Sequence, residues 1–239
     1  MNLLFLLSAL ISEILGTIAG FGSSTIFLPL ALLSFDFKTA LILVAFFHIV
    51  GNISRISFFK KGLDKKLLIK FGAPSVVLTI IGALVVVYLP QDILKGILGV
   101  FLLMYAAYSL LQDKFRIPAS TTSAVIGGAL SGFLAGLIGT GGALRGAFLT
   151  GYGLTKEKYI ATAAAIALVV DLTRIPIYIS QGFLRHEYYW YLPVLFILAI
   201  AGSFMGKQIV KLFPYKMFRK VVLIAILLVG IKFLVEWIT

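Results

Sequence analysis

Five charged residues interrupt stretches of the chain that are otherwise hydrocarbon: Glu13, Arg55, Arg145, Asp171 and Arg174. A guanidinium offers a planar fork of donors that fits an oxyanion such as a carboxylate. An acid at similar depth serves as a proton relay or as the partner of an arginine. Arg145 lies three residues past Gly142 inside an apolar run and reads as a substrate-binding cation. Asp171 stands three residues before Arg174, on the same helical face, and is expected to neutralise it. Asn52 holds the corresponding place before Arg55, which therefore lacks a charged partner on its own helix and reads as a second substrate contact. Glu13 and Asp171 are the candidates for coupling protons to transport. His48, among Phe46, Phe47 and Ile49, reads as structural. Three arginines against two acids favour an anion over a cation as cargo.

Close to these charges run two glycine-rich stretches. One is Gly16-Thr17-Ile18-Ala19-Gly20-Phe21-Gly22-Ser23-Ser24-Thr25; the other is Gly136-Leu137-Ile138-Gly139-Thr140-Gly141-Gly142-Ala143-Leu144-Arg145. In lipid, non-helical backbone is tolerated only where it is buried in protein or lines a watery cavity. The half-helix after each break would present unpaired N–H groups and a positive dipole end, which favour an anion. Gly20, Gly22, Ser23, Ser24 and Thr25 on one side, and Gly139, Thr140, Gly141 and Gly142 on the other, are the expected binding tips. The competing reading is close helix packing, and Gly16 with Gly20 or Gly142 with Gly146 fits it.

Composition excludes most other classes. The chain of 239 residues is 61% hydrophobic and only 13% charged, too little polar surface for a soluble domain. Its mean hydropathy of +1.08 and its long apolar runs indicate an all-α polytopic membrane protein. The net charge of +12 comes from lysines in short loops, which points to cytoplasm-facing loops and not to nucleic acid. Cysteine is absent, and no P-loop, HExxH or His/Asp/Glu cluster occurs. No cofactor, metal or enzymatic activity is expected. The apolar run Leu3 to Leu10 has no Lys or Arg before it and meets Glu13 where a cleavage site should be neutral. It is read as part of the fold, not as a signal peptide.

Eight apolar segments follow one another, at about 2–34, 38–59, 68–89, 92–112, 120–151, 157–179, 189–212 and 215–238. The first and fifth are too long for one span, and each contains a glycine break. Gly20 and Gly139 stand 119 residues apart, and so do Asn52 with Asp171 and Arg55 with Arg174. Gly62, Gly82 and Pro90 match Gly182, Gly202 and Pro214 at nearly the same spacing. The chain is thus expected to hold two repeats, about 1–116 and 120–239, in one transmembrane domain. With eight crossings, Lys and Arg would divide nine against nine between the two faces. If the first and fifth segments are re-entrant hairpins, they divide fourteen against four, the bias expected of cytoplasmic loops. The larger set comprises Lys60, Lys61, Lys65, Lys66, Lys70, Lys114, Arg116, Lys156, Lys158, Lys207, Lys211, Lys216, Arg219 and Lys220. Each repeat is then one hairpin plus three transmembrane helices, the second inverted relative to the first, with both termini outside. Hairpin arms of about 14 to 16 residues would reach about 21–24 Å. Aromatic residues such as Tyr88, Trp190, Phe213 and Trp237 mark the expected headgroup boundaries.

Two halves that each open with a glycine-rich break and continue with three spans resemble the TauE/SafE family of sulfite and organosulfonate exporters. The resemblance covers essentially the whole chain. It rests on Gly16, Gly20, Gly22, Ser23 and Ser24 with Pro29, and on Gly136, Gly139, Gly141 and Gly142. The sequence departs from the family at Ser23 and Ser24, where glycines are common, and at Phe148, which replaces the counterpart of Pro29. The resemblance implies a secondary carrier of small sulfur-containing anions in a prokaryotic plasma membrane. The expected partners are such an anion, the lipid bilayer and protons as coupling ion, with a homo-oligomer left open. A passive anion channel of the same fold and a non-transporting membrane scaffold or accessory protein are the alternatives.

Overall fold

The computed structural model describes residues 3–20, 22–59, 62–111, 117–209 and 215–238. Of the residues used above, Phe21, Lys60, Lys61, Lys114, Arg116, Lys211, Phe213 and Pro214 lie outside the described ones. The described residues form ten α-helices and no strand. They are α1 (Leu3–Ala19), α2 (Ser24–Ala31), α3 (Phe37–Phe58), α4 (Lys65–Val85), α5 (Gln91–Leu111), α6 (Thr121–Ile138), α7 (Gly142–Leu149), α8 (Lys156–Ser180), α9 (Tyr191–Ile209) and α10 (Tyr215–Ile238). Among the described residues, six stretches, on α3, α4, α5, α6, α8 and α9, are long and apolar enough to cross a membrane. Capping residues fix several starts. Asp36 accepts from the Thr39 amide before α3, Asp64 from the Leu67 amide before α4, and Ser120 exchanges bonds with Ser123 before α6.

Backbone conformation decides where the first and fifth apolar segments break. Gly22 has φ +100°, and Gly139 closes α6 at φ +72°, a region that L side chains rarely adopt. The arms are unequal, which corrects the expected 14 to 16 residues each. The first arms, α1 and α6, have 17 and 18 residues, and the second arms, α2 and α7, have 8. At 1.5 Å per residue the long arms reach about 26 Å and the short ones about 12 Å. The glycines, not the midpoint of hydropathy, set the break.

Each broken segment folds back on itself. The Phe5 ring, near the start of α1, lies 4.7 Å from that of Phe35, beyond the end of α2. The Tyr152 hydroxyl, just past α7, lies 3.0 Å from the Ser123 hydroxyl at the start of α6. These openings sit at opposite ends of the molecule. At one end the Asp64 amide donates to Thr162 of α8, and Lys70 of α4 donates to Thr121 of α6. At the other, Phe35 packs edge-on against Tyr188 and Tyr191, and Asp36 faces Arg185.

The helices pair as α4 with α6, α1 with α9, α3 with α8, α5 with α10, α3 with α9 and α4 with α8. Shifting every helix number by five reproduces the same set of pairs. The central pair, α3 and α8, is buried along most of its length. Close approach of α4 to α6 depends on small residues. Ser75 and Thr79 donate across the interface to the carbonyls of Gly128 and Gly132. A Cβ on Gly132 would fall against the Ser75 carbonyl oxygen, well inside van der Waals contact. Replacing Gly132 with Leu should therefore destabilise the fold by about 1–3 kcal/mol or more. A lower midpoint of thermal unfolding in detergent is the expected result.

Candidate functional site

The two hairpins touch. The Thr25 and Thr140 hydroxyls, from the first turn of α2 and the break before α7, are 2.8 Å apart. The hairpins do not end head-on at this contact but pass one another. Gly20 abuts Tyr159 and Ile160 in the first turns of α8, while Gly139 lies against Leu41 near the start of α3. Each tip thus reaches toward the end opposite its own opening, and the short arms α2 and α7 touch between them.

Around this crossing runs a buried polar network. All five charged residues named at the outset are at most 3% exposed. Arg55 meets Glu13 at 3.0 Å and donates to the Asn52 side-chain oxygen at 2.7 Å. Ser23 and Ser203 each donate to Glu13 at 2.6 Å. Asn52 donates to Asp171 at 3.0 Å, joining two residues that stand 119 positions apart in the chain. Asp171 in turn receives Arg174 through two nitrogens at 2.8 and 2.9 Å. The third nitrogen of Arg174 donates to the Ala135 carbonyl, one of the last-turn carbonyls of α6 freed near the break. The Tyr178 hydroxyl donates to the Gly136 carbonyl. His48 completes the cluster, with Nδ1 standing 2.9 Å from Asp171 Oδ2.

Arg145 differs from the other two arginines. It is 3% exposed and makes no hydrogen bond or ion pair among the described residues; its Nε is buried without a partner. It borders a small hollow shared with Ser24, His48, Gly139, Gly141, Gly142, Asp171 and Arg174. The hollow measures about 10 Å³, room for one water-sized sphere at most. Three guanidiniums face two carboxylates here, so with His48 neutral the cluster carries one uncompensated positive charge. A small oxyanion is the chemical complement of such a site.

A second, larger cavity of about 430 Å³ reaches the first tip from the end where α8 begins. Ala19, Gly20, Leu149, Thr150, Lys156 and Tyr159 are among the residues that line it. Another cavity, of about 480 Å³ between α5, α6 and α7, is apolar and holds none of the buried charges.

Each candidate read from the sequence now has a position. Ser24, Gly139, Gly141, Gly142 and Arg145 border the hollow, together with Asp171 and Arg174. Thr25 and Thr140 bridge the hairpins, Ser23 serves Glu13, Gly22 backs onto His48, and Gly20 faces the larger cavity. Arg55 lies outside the hollow, bound to Glu13. Sequence reading passed over Ser203, Asn52 as a bridge and Tyr178. A lone serine in an apolar helix carries no positional signal, and the spacing of 119 residues aligned Asn52 with Asp171 without placing them in contact.

Comparison with known proteins agrees with the all-helical membrane architecture. Residues 4–233 match the model of the family described as "Sulfite exporter TauE/SafE". The chain is also 29% identical over 233 residues to a "Probable membrane transporter protein" of Methanocaldococcus jannaschii, covering 87% of this chain and 85% of that one. The chain belongs to the sulfite exporter TauE/SafE family and is a multi-pass membrane transporter of the cell membrane.

Proposed function

We propose that the chain is a secondary carrier of small oxyanions, of which sulfite and sulfonates are the best candidates, and that the anion binds between the two crossed hairpins on Arg145. The observation that carries this reading is the unpaired guanidinium. A charge buried in a membrane protein normally faces a partner or a watery cavity, and Arg145 has only the hollow. The two other arginines are already matched by Glu13 and Asp171, which leaves Arg145 as the cation free for substrate. The hydroxyls of Ser24 and Thr140 and the glycine amides around them supply further donors. The family description, "Sulfite exporter TauE/SafE", supports a sulfur oxyanion as cargo.

The repeats are inverted in this reading. Hairpins that open at opposite ends, and helix pairs that exchange on a shift of five, support a two-fold axis lying in the membrane plane. The lysine-rich loops around Lys65 and Lys156 then face the cytoplasm, and the cavity of about 430 Å³ is an inner vestibule. A hollow of about 10 Å³ is too small for sulfite and shares no lining residue with that vestibule, so the hairpins must part to admit the anion, which supports a carrier that alternates access over a channel with a standing pore. Because the native chain has no cysteine, single replacements test this orientation cleanly. In right-side-out vesicles an impermeant thiol reagent should label Glu187→Cys and leave Lys158→Cys unlabelled; the reverse pattern refutes the assigned topology.

The site itself is tested by sulfite flux in proteoliposomes, with and without a pH gradient. Arg145→Ala should lower flux at least ~10-fold, since removing one partner of a buried charge pair costs about 2 kcal/mol or more. Equal flux from both proteins refutes the assignment. Arg55→Ala should behave differently. It strands Glu13 without its counter-charge and should cost about 3–5 kcal/mol of stability. Thermal unfolding in detergent separates the two, with Arg55→Ala melting earlier and Arg145→Ala at or above the wild-type midpoint.

A further inference from the structure

His48 lies at the junction of every charged element in the site. Asp171 and Arg174 approach it from α8, Glu13 from α1 and Arg145 from α7, while Arg55 follows on its own helix. Its ring is 2% exposed and borders the same hollow as Arg145. Nδ1 stands 2.9 Å from Asp171 Oδ2, and neither ring nitrogen makes a well-aligned hydrogen bond among the described residues. Gly22 lets the first tip pack against that nitrogen: a Cβ there would lie 2.6 Å from Nε2. A buried imidazole with one nitrogen beside a carboxylate and the other without a partner offers a place for a second proton.

We infer that His48 sets the charge of the anion the site accepts, a proposal that rests on the anion-site reading above. With His48 neutral, three arginines and two acids leave one positive charge, which a monoanion cancels. A dianion leaves one negative charge unbalanced inside a low-dielectric interior, where that imbalance is costly. Protonation of His48 at Nε2 removes it, and Asp171 at Nδ1 stabilises the imidazolium so formed. Glu13 is poorly suited to this task, because protonating it would break its contacts with Arg55, Ser23 and Ser203. The proton joins Nε2 from solvent as the dianion binds and departs when the dianion is released. A dianion therefore travels with one proton more than a monoanion of the same shape.

Sulfate and methanesulfonate are the probes. They differ by an oxygen against a methyl group, carry two and one negative charges, and neither titrates near neutral pH. Calorimetry of the purified chain in two buffers of different ionisation enthalpy counts the protons taken up on binding. At a pH about one unit above the ordinary histidine range, uptake should be about one proton per sulfate and about none per methanesulfonate. His48→Asn keeps a donor toward Asp171 and lacks a second basic nitrogen, so its sulfate-linked uptake should vanish. Equal uptake with both anions in the wild type overturns the proposal, as does uptake retained by His48→Asn, or methanesulfonate binding without sulfate. The wild-type comparison of the two anions stands even if the variant fails to fold. Binding of neither anion refutes the underlying site, an outcome distinct from failure of the histidine's role.

Discussion

Arg145 brings a positive charge into the interior of a membrane protein without a counter-charge of its own. Moving an arginine to the middle of a spanning helix costs on the order of 3 kcal/mol by insertion scales, and more by other measures. Under the proposed function, a negative substrate offsets that cost when it binds. Among the described residues, the other buried arginines and acids are paired with one another. Glu13 is committed to Arg55, Asp171 to Arg174, and the hydroxyls of Ser23 and Ser203 occupy Glu13 further.

The fold brings that arrangement together. Two helices broken at glycines enter from opposite ends and slide past one another until their threonines meet. The break exposes backbone carbonyls of α6, and Arg174 and Tyr178 satisfy those of Ala135 and Gly136. An arginine that neutralises an acid thus also mends the broken helix. Burial of unsatisfied carbonyls in an apolar interior would otherwise cost several kcal/mol each. The long arms are clamped from outside by partners in the other half, α1 by α9 and α6 by α4, with small residues letting the backbones approach.

How much of this could be read from the sequence depended on range. The glycine breaks were visible because Gly22 and Gly139 stand inside runs that hydropathy requires to be continuous. The facing of Asp171 and Arg174 was equally visible, being three residues apart on one helix. Glu13 and Arg55 lie on different helices, so nothing in the local pattern joined them, and Arg55 looked unpartnered until the fold brought α1 against α3. The arm lengths misled for another reason: hydropathy reports where lipid is tolerated, while the turn is placed by backbone conformation. His48 looked like a core histidine because its neighbours in sequence are aromatic and aliphatic. Its neighbours in space are charged.

The assignment of the anion to Arg145 meets its most direct test in an anomalous difference map from crystals soaked in selenite, a heavier analogue of sulfite. The account predicts a selenium peak between the crossed hairpins, its oxygens about 2.7–3.2 Å from the Arg145 guanidinium. A peak on Arg55 or Arg174 with Arg145 left bare would contradict it.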